Sequence, residues 1–91
     1  MIHVNITITG KVQRVGFRFL SMQYAVSLQI TGFVRYLDKD KIYMEAEGTE
    51  NNIEKFKQWC YSGPCSNEVK HLAIEKADLK HFTAFDIVDS K

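Results

Sequence analysis

The opening segment constrains most of what this chain can fold into. Ile2, Val4, Ile6 and Ile8 alternate with His3, Asn5, Thr7 and Thr9, the period of an extended strand that ends at Gly10. Such a strand has one apolar face, and it is stable only when a second layer covers that face. The covering layer can be read downstream. Phe17, Leu20, Tyr24, Ala25 and Leu28 recur at three- and four-residue steps, which predicts an amphipathic helix over residues 17–29.

Residues 30–37 are rich in β-branched and aromatic side chains and predict a second strand. Asp38, Lys39, Asp40 and Lys41 form a polar turn, after which Ile42, Met44 and Ala46 alternate with Tyr43, Glu45 and Glu47 as the other arm of a hairpin. Ile53, Phe56 and Cys60 share one face of a second helix. Thr49 or Asn51 caps that helix, Asn51 having Glu54 three residues on in the manner of a capping box, and Gly63-Pro64 ends it. Residues 69–76 and 82–88 predict two further strands, with Phe85 and Ile87 on one side of the last. The order is β-α-β-β-α-β plus one extra strand. Two helices can both bury their stripes only on a common sheet, so the expected fold is a ferredoxin-like α+β sandwich, a mainly antiparallel sheet with both helices on one face.

Composition narrows the function classes. With 91 residues, 45% hydrophobic and 25% charged, the chain fits one ordinary globular domain over 1–91. No apolar run exceeds three residues, Leu72-Ala73-Ile74 being typical, so no membrane-spanning helix is expected. The alternating start is not read as a signal peptide. Cys60 and Cys65 are too few for a disulfide scaffold and lack CxxC spacing, which predicts two free thiols in a reducing cytoplasm.

The formal net charge of +1 hides an asymmetry. Residues 1–37 carry Lys11, Arg14, Arg18 and Arg35 and no acidic residue, a formal +4, whereas residues 38–91 carry eight basic and eleven acidic side chains, a formal −3. Three of the four early cations lie between Lys11 and Arg18. That placement can focus a small anion toward one end of the molecule. A broad nucleic-acid footprint would need a far more basic surface.

The cations sit on a segment with its own chemistry. Gly10 to Arg18 joins a strand to a helix N-terminus, where backbone N–H groups lack intrahelical partners and the helix dipole adds positive potential. A loop whose N–H groups converge makes an anion nest. Gly16 permits a left-handed backbone angle there, and Arg18 can fork onto two oxygens of a phosphate. The alternative is a plain connecting loop, since the segment lacks both the GK[ST] of a P-loop and the GxGxxG of a dinucleotide site.

GKVQRVGFR before an amphipathic helix, then Thr31-Gly32-Phe33-Val34-Arg35, Gly48 and Gly63-Pro64, resembles an acylphosphatase over essentially the whole chain. The VQxVGFR core is highly specific to that family. The resemblance implies the same ferredoxin-like sandwich and metal-free hydrolysis of the carboxyl–phosphate anhydride in small acyl phosphates, giving a carboxylate and inorganic phosphate. It implies that backbone amides of Gln13, Arg14, Val15, Gly16 and Phe17 cradle the phosphoryl oxygens and that Arg18 is the phosphate-binding arginine. No cofactor and no metal are expected. Nor is a nucleic-acid or membrane partner, and the chain is expected to act as a monomer.

Two residues depart from the family pattern. Arg14 stands where the motif has glycine. If that position needs a positive φ, arginine is strained there by roughly 1–2 kcal/mol. Tyr36 stands where the family has the asparagine that orients the water nucleophile. A phenol is longer and offers one polar atom where an amide offers two. Losing a well-aimed polar group commonly costs about 10²–10³ in turnover, so phosphate binding is expected to survive better than catalysis. Two alternatives stay open: the phenol takes over the role, or Tyr36 only packs on its strand.

A second function remains in view, a non-catalytic anion-binding or regulatory module on the same fold. A third, an RNA-recognition domain with the same element order, needs stacking aromatics with basic neighbours, whereas Glu45 and Glu47 flank Tyr43 here. The remaining polar residues read as ordinary. His3, His71 and His81 lack paired metal spacing and are expected on the surface or a strand face. Tyr43, Glu45 and Glu47 are expected on a solvated strand face. Phe56, Trp59 and Cys60 are expected to pack in the core, and Cys65 to be exposed.

Overall fold

A computed structural model describes residues 1–10, 16–38, 40–62 and 69–88. The alternating start becomes β1 (Ile2–Gly10), followed by α1 (Phe17–Ser27), β2 (Thr31–Asp38), β3 (Lys41–Gly48), α2 (Glu50–Ser62), β4 (Val69–Ala77) and β5 (Phe85–Ile87). The sheet order is β4-β1-β3-β2-β5. β1 pairs antiparallel with β3 and β4, β2 pairs antiparallel with β3, and β5 adds in parallel to β2. Each helix therefore crosses over a strand that the other β-α-β unit inserts, the split pattern of the ferredoxin-like sandwich.

The apolar face of the sheet and the two helices form one core. Val4, Ile6 and Ile8 from β1, Ile42, Met44 and Ala46 from β3, and Val34 from β2 meet Phe17 and Ala25 of α1 and Ile53, Phe56 and Cys60 of α2. Trp59 is half-buried beside them, its ring 5.4 Å from Phe17 and 5.3 Å from Tyr24. No helix of the described residues is long and apolar enough to cross a membrane.

Several boundaries were expected and others shifted. β1 ends at Gly10 as its alternation required. Thr49, not Asn51, caps α2: its Oγ1 accepts the Asn52 N–H at 3.2 Å, while the Asn52 amide donates to the Leu28 carbonyl at 2.9 Å. The last strand begins at Phe85 rather than at residue 82. The cause is topological. β4 and β5 lie at opposite edges of the sheet, so residues 78–84 are spent on the crossing between them.

Candidate active site

Three strands and a helix end converge at the hairpin end of the sheet. Ile8, Ile42 and Tyr36 are register partners in one row across β1, β3 and β2 on the helix-covered face. The Gly10 N–H donates to the Asp40 carbonyl at 2.8 Å, which ties the exit of β1 to the β2–β3 turn. Gly16 has a left-handed backbone at φ 68 and ψ 35, and α1 begins at Phe17. The Leu20 N–H donates to the Gly16 carbonyl at 3.1 Å, so Gly16 is the residue at which the helix ladder starts.

The N-terminus of α1 carries no acidic residue in its first turn and no side-chain cap. Its amides and its dipole therefore face outward with no negative group of the helix to answer them. Arg18 sits in that first turn with its guanidinium over the Tyr36 ring, 3.8 Å from the ring centre. Among the described residues no carboxylate forms an ion pair with Arg18; the ion pairs present join His3 to Glu45 and Glu47, Lys57 to Glu54, and Lys80 to Glu45. A guanidinium with one face on an aromatic ring and no carboxylate partner among the described residues is arranged to receive a planar or tetrahedral oxyanion.

Gly16, Phe17, Arg18 and Tyr36 are thus brought to one corner. Phe17 is buried in the core and anchors the helix start there. Gln13, Arg14 and Val15, expected to supply cradle amides, lie outside the described residues. The stack of Arg18 on Tyr36 was not foreseen, because sequence spacing gives no sign that a helix-start arginine reaches an aromatic ring on a strand 18 residues away. Among the described residues no group of three or more His, Cys, Asp or Glu is arranged to hold a metal ion.

On the opposite face of the sheet the structure corrects the expectation for Glu45 and Glu47. They are not solvated but 5% and 2% exposed, and His3, on the strand face beside them, is 1% exposed. The crossing segment 78–84 lies over them, with the Phe82 ring stacked on His3 at 5.8 Å and edge-on to Phe33 at 5.8 Å. Alternation along one strand reports which residues share a face, but not whether a distant segment roofs it. Tyr43, which shares that face, is half-buried, and its hydroxyl donates to Glu45 Oε2 at 2.8 Å.

Comparison with known proteins agrees with the geometry. The Acylphosphatase family model matches residues 4–87. The chain is 32% identical over 87 residues to an acylphosphatase of Trichormus variabilis, covering 96% of this chain and 86% of the relative. It is 33% identical over 87 residues to an acylphosphatase of Archaeoglobus fulgidus, covering 96% and 98% of the two chains. The crystal structure of acylphosphatase from Bacillus subtilis superposes with a TM-score of 0.89 at 30% identity, over 97% of this chain and 99% of that one. Fold, sequence and the arginine at the first helix start therefore converge: the chain belongs to the acylphosphatase family of hydrolases.

Proposed function

We propose that this chain hydrolyses the carboxyl–phosphate bond of small acyl phosphates without a metal ion, at a rate reduced by the tyrosine at position 36. In this reading the Arg18 fork and the backbone amides of residues 13–17 hold the phosphoryl oxygens. A water attacks phosphorus: its oxygen forms the new P–O bond, the bond to the acyl oxygen breaks, and the carboxylate leaves with that electron pair. The water's protons pass to phosphate and solvent. Because a carboxylate is a good leaving group, most of the catalysis is positioning and stabilisation of charge on the equatorial oxygens.

The observation that carries the reading is the Arg18 guanidinium poised at the helix start with no carboxylate partner among the described residues. The same contact explains the expected slowness. The Tyr36 ring serves as a platform for Arg18 and brings no amide to orient the water. That favours a second reading, an anion-binding module that retains phosphate and has lost turnover.

Turnover of benzoyl phosphate by the wild type, Arg18→Ala and Tyr36→Asn, with phosphate titrated calorimetrically into each, tests both. Hydrolysis abolished by Arg18→Ala and accelerated about 10²-fold by Tyr36→Asn supports the slow hydrolase. Phosphate binding with no hydrolysis in the wild type supports the module. Activity retained in Arg18→Ala sinks the assigned site.

A further inference from the structure

The sheet order sets a mechanical problem that the buried His3–Glu45–Glu47 group solves. From β4 to β5 the chain crosses four inter-strand spacings, about 19 Å, with residues 78–84 alone. Eight Cα–Cα steps reach at most about 29 Å, so the crossing has too little length to spare for a helix or hairpin of its own on the open face. Its backbone N–H groups need acceptors that no neighbouring strand supplies.

Glu47 supplies them. One carboxylate accepts the backbone N–H groups of Lys80, of His81 at 3.3 Å and of Phe82 at 3.1 Å. Three successive amides can converge on one anion because His81 adopts a left-handed backbone, φ 60. The crossing is therefore an anion nest filled by a carboxylate of the same chain. His3 Nδ1 lies 2.7 Å from Glu47 Oε2, and His3 Nε2 lies 3.0 Å from Glu45 Oε1 and 2.9 Å from Asn5 Oδ1. The His3 ring thus bridges the two carboxylates. Lys80 Nζ closes the group at 2.8 Å from Glu45 Oε1.

We infer that this group is a proton-released latch: while both glutamates are ionised it fastens residues 78–84 and β5 to the sheet, and when they take up protons the crossing lifts off. The groups facing it are His3 from β1, Glu45, Glu47 and Tyr43 from β3, Lys80 and His81 from the crossing, Arg35 from β2 (its guanidinium carbon 5.9 Å from the Tyr43 ring centre), Glu75 from β4, and Asp86 from β5, in the same row as Glu45 through Phe33. When Glu45 and Glu47 take up protons, the crossing's amides face a neutral carboxyl that accepts more weakly and carries an O–H donor of its own, and Lys80 loses the negative charge that answers it. Burial raises both Glu45 and Glu47, but the hydrogen bonds from Lys80 and Tyr43 on the one, and from the crossing's amides and His3 on the other, outweigh it and hold both below the ordinary glutamate value. Release exposes Phe85, now buried against Phe56, and breaks the Gly32 N–H to Ala84 carbonyl and Val88 N–H to Val34 carbonyl bonds, 2.8 and 2.9 Å.

Residue-resolved amide hydrogen exchange, corrected for intrinsic rates, tests this from about pH 7 to about pH 3. Lys80 and Phe82 amides are expected to lose protection about tenfold or more while Ile6 and Met44 amides remain protected. Simultaneous loss at all four overturns the latch. In Glu47→Gln, with one acceptor fewer and no charge, the same selective loss is expected at neutral pH, and unchanged Lys80 and Phe82 protection overturns it. Should that variant not fold, the wild-type pH series decides alone.

Discussion

The guanidinium of Arg18 rests 3.8 Å from the centre of the Tyr36 ring, so a residue of β2 holds the arginine that begins α1. A cation over a tyrosine face gains about 0.5–1 kcal/mol when exposed and about 2 when desolvated. Tyr36→Ala removes that support and is expected to weaken phosphate binding about 3–10-fold by calorimetry, whereas Tyr36→Phe keeps the ring and leaves affinity nearly unchanged. Equal affinity in Tyr36→Ala would show that the ring does not orient the arginine.

Arg18→Lys keeps the charge and loses the planar fork. Each charge-assisted hydrogen bond is worth about 1.5–3 kcal/mol, so the phosphate dissociation constant should rise roughly tenfold or more. A lysine variant that matches the wild type would mean that charge alone, and not forked geometry, binds the anion.

Gly32 and Gly16 both have positive φ but fail differently when a methyl is added. At Gly32, φ 145, a Cβ would stand 1.8 Å from the Glu45 carbonyl oxygen, a backbone atom in the middle of the sheet. Gly32→Ala is expected to cost about 4 kcal/mol or more in urea unfolding. At Gly16, φ 68, a Cβ would meet nothing within 4 Å, so Gly16→Ala should cost only the backbone strain, about 1–2 kcal/mol. Similar losses at both positions would contradict the geometry.

Stability should fall at both ends of the pH scale through two separable groups. Glu45 and Glu47 are held below the ordinary glutamate value, so the stability they contribute is complete above about pH 4.3 and is lost as pH falls through their folded values. Tyr43 is pushed up to about 12 by burial and by its hydrogen bond to Glu45. Its folded form keeps the phenol proton above the ordinary value near 10, and stability declines as pH rises from there toward 12. Thermal unfolding against pH should lose part of its alkaline slope in Tyr43→Phe, the remainder coming from the buried Cys60 thiol, and part of its acid slope in Glu47→Gln.

Cys60 is buried on the core face of α2, and burial pushes its thiol up to about 12. In a Cys65→Ser background the native protein should give no reaction with a thiol reagent at neutral pH and one equivalent in denaturant. Rapid native labelling would show that α2 opens locally.

The element order was legible because each segment carries its own period: β1, the β2–β3 hairpin and the α2 face of Ile53, Phe56 and Cys60 all lie where the apolar spacing placed them. Arg18 and Tyr36 were legible as a pair only through the family resemblance, and their stacking was not, since it depends on how α1 lies across β2. The burial of Glu45 and Glu47 was misread for a related reason. Their alternation assigned them to the polar face correctly, but what covers that face is a segment more than thirty residues away in sequence. Local spacing likewise offered both Thr49 and Asn51 as caps of α2, and the role falls to Thr49, whose Oγ1 accepts the Asn52 N–H.

β1 lies between β3 and β4, so one of its edges is paired by residues 41–48 and the other only by residues 69–77. During synthesis the first strand therefore waits with an open edge until most of the chain has left the ribosome. Pairing of that edge must await closure of a loop over most of the chain, which places completion of the sheet on the slower timescale of high-contact-order folds. Nascent chains stalled before β4 should accordingly stay protease-sensitive, although both helices have already been made.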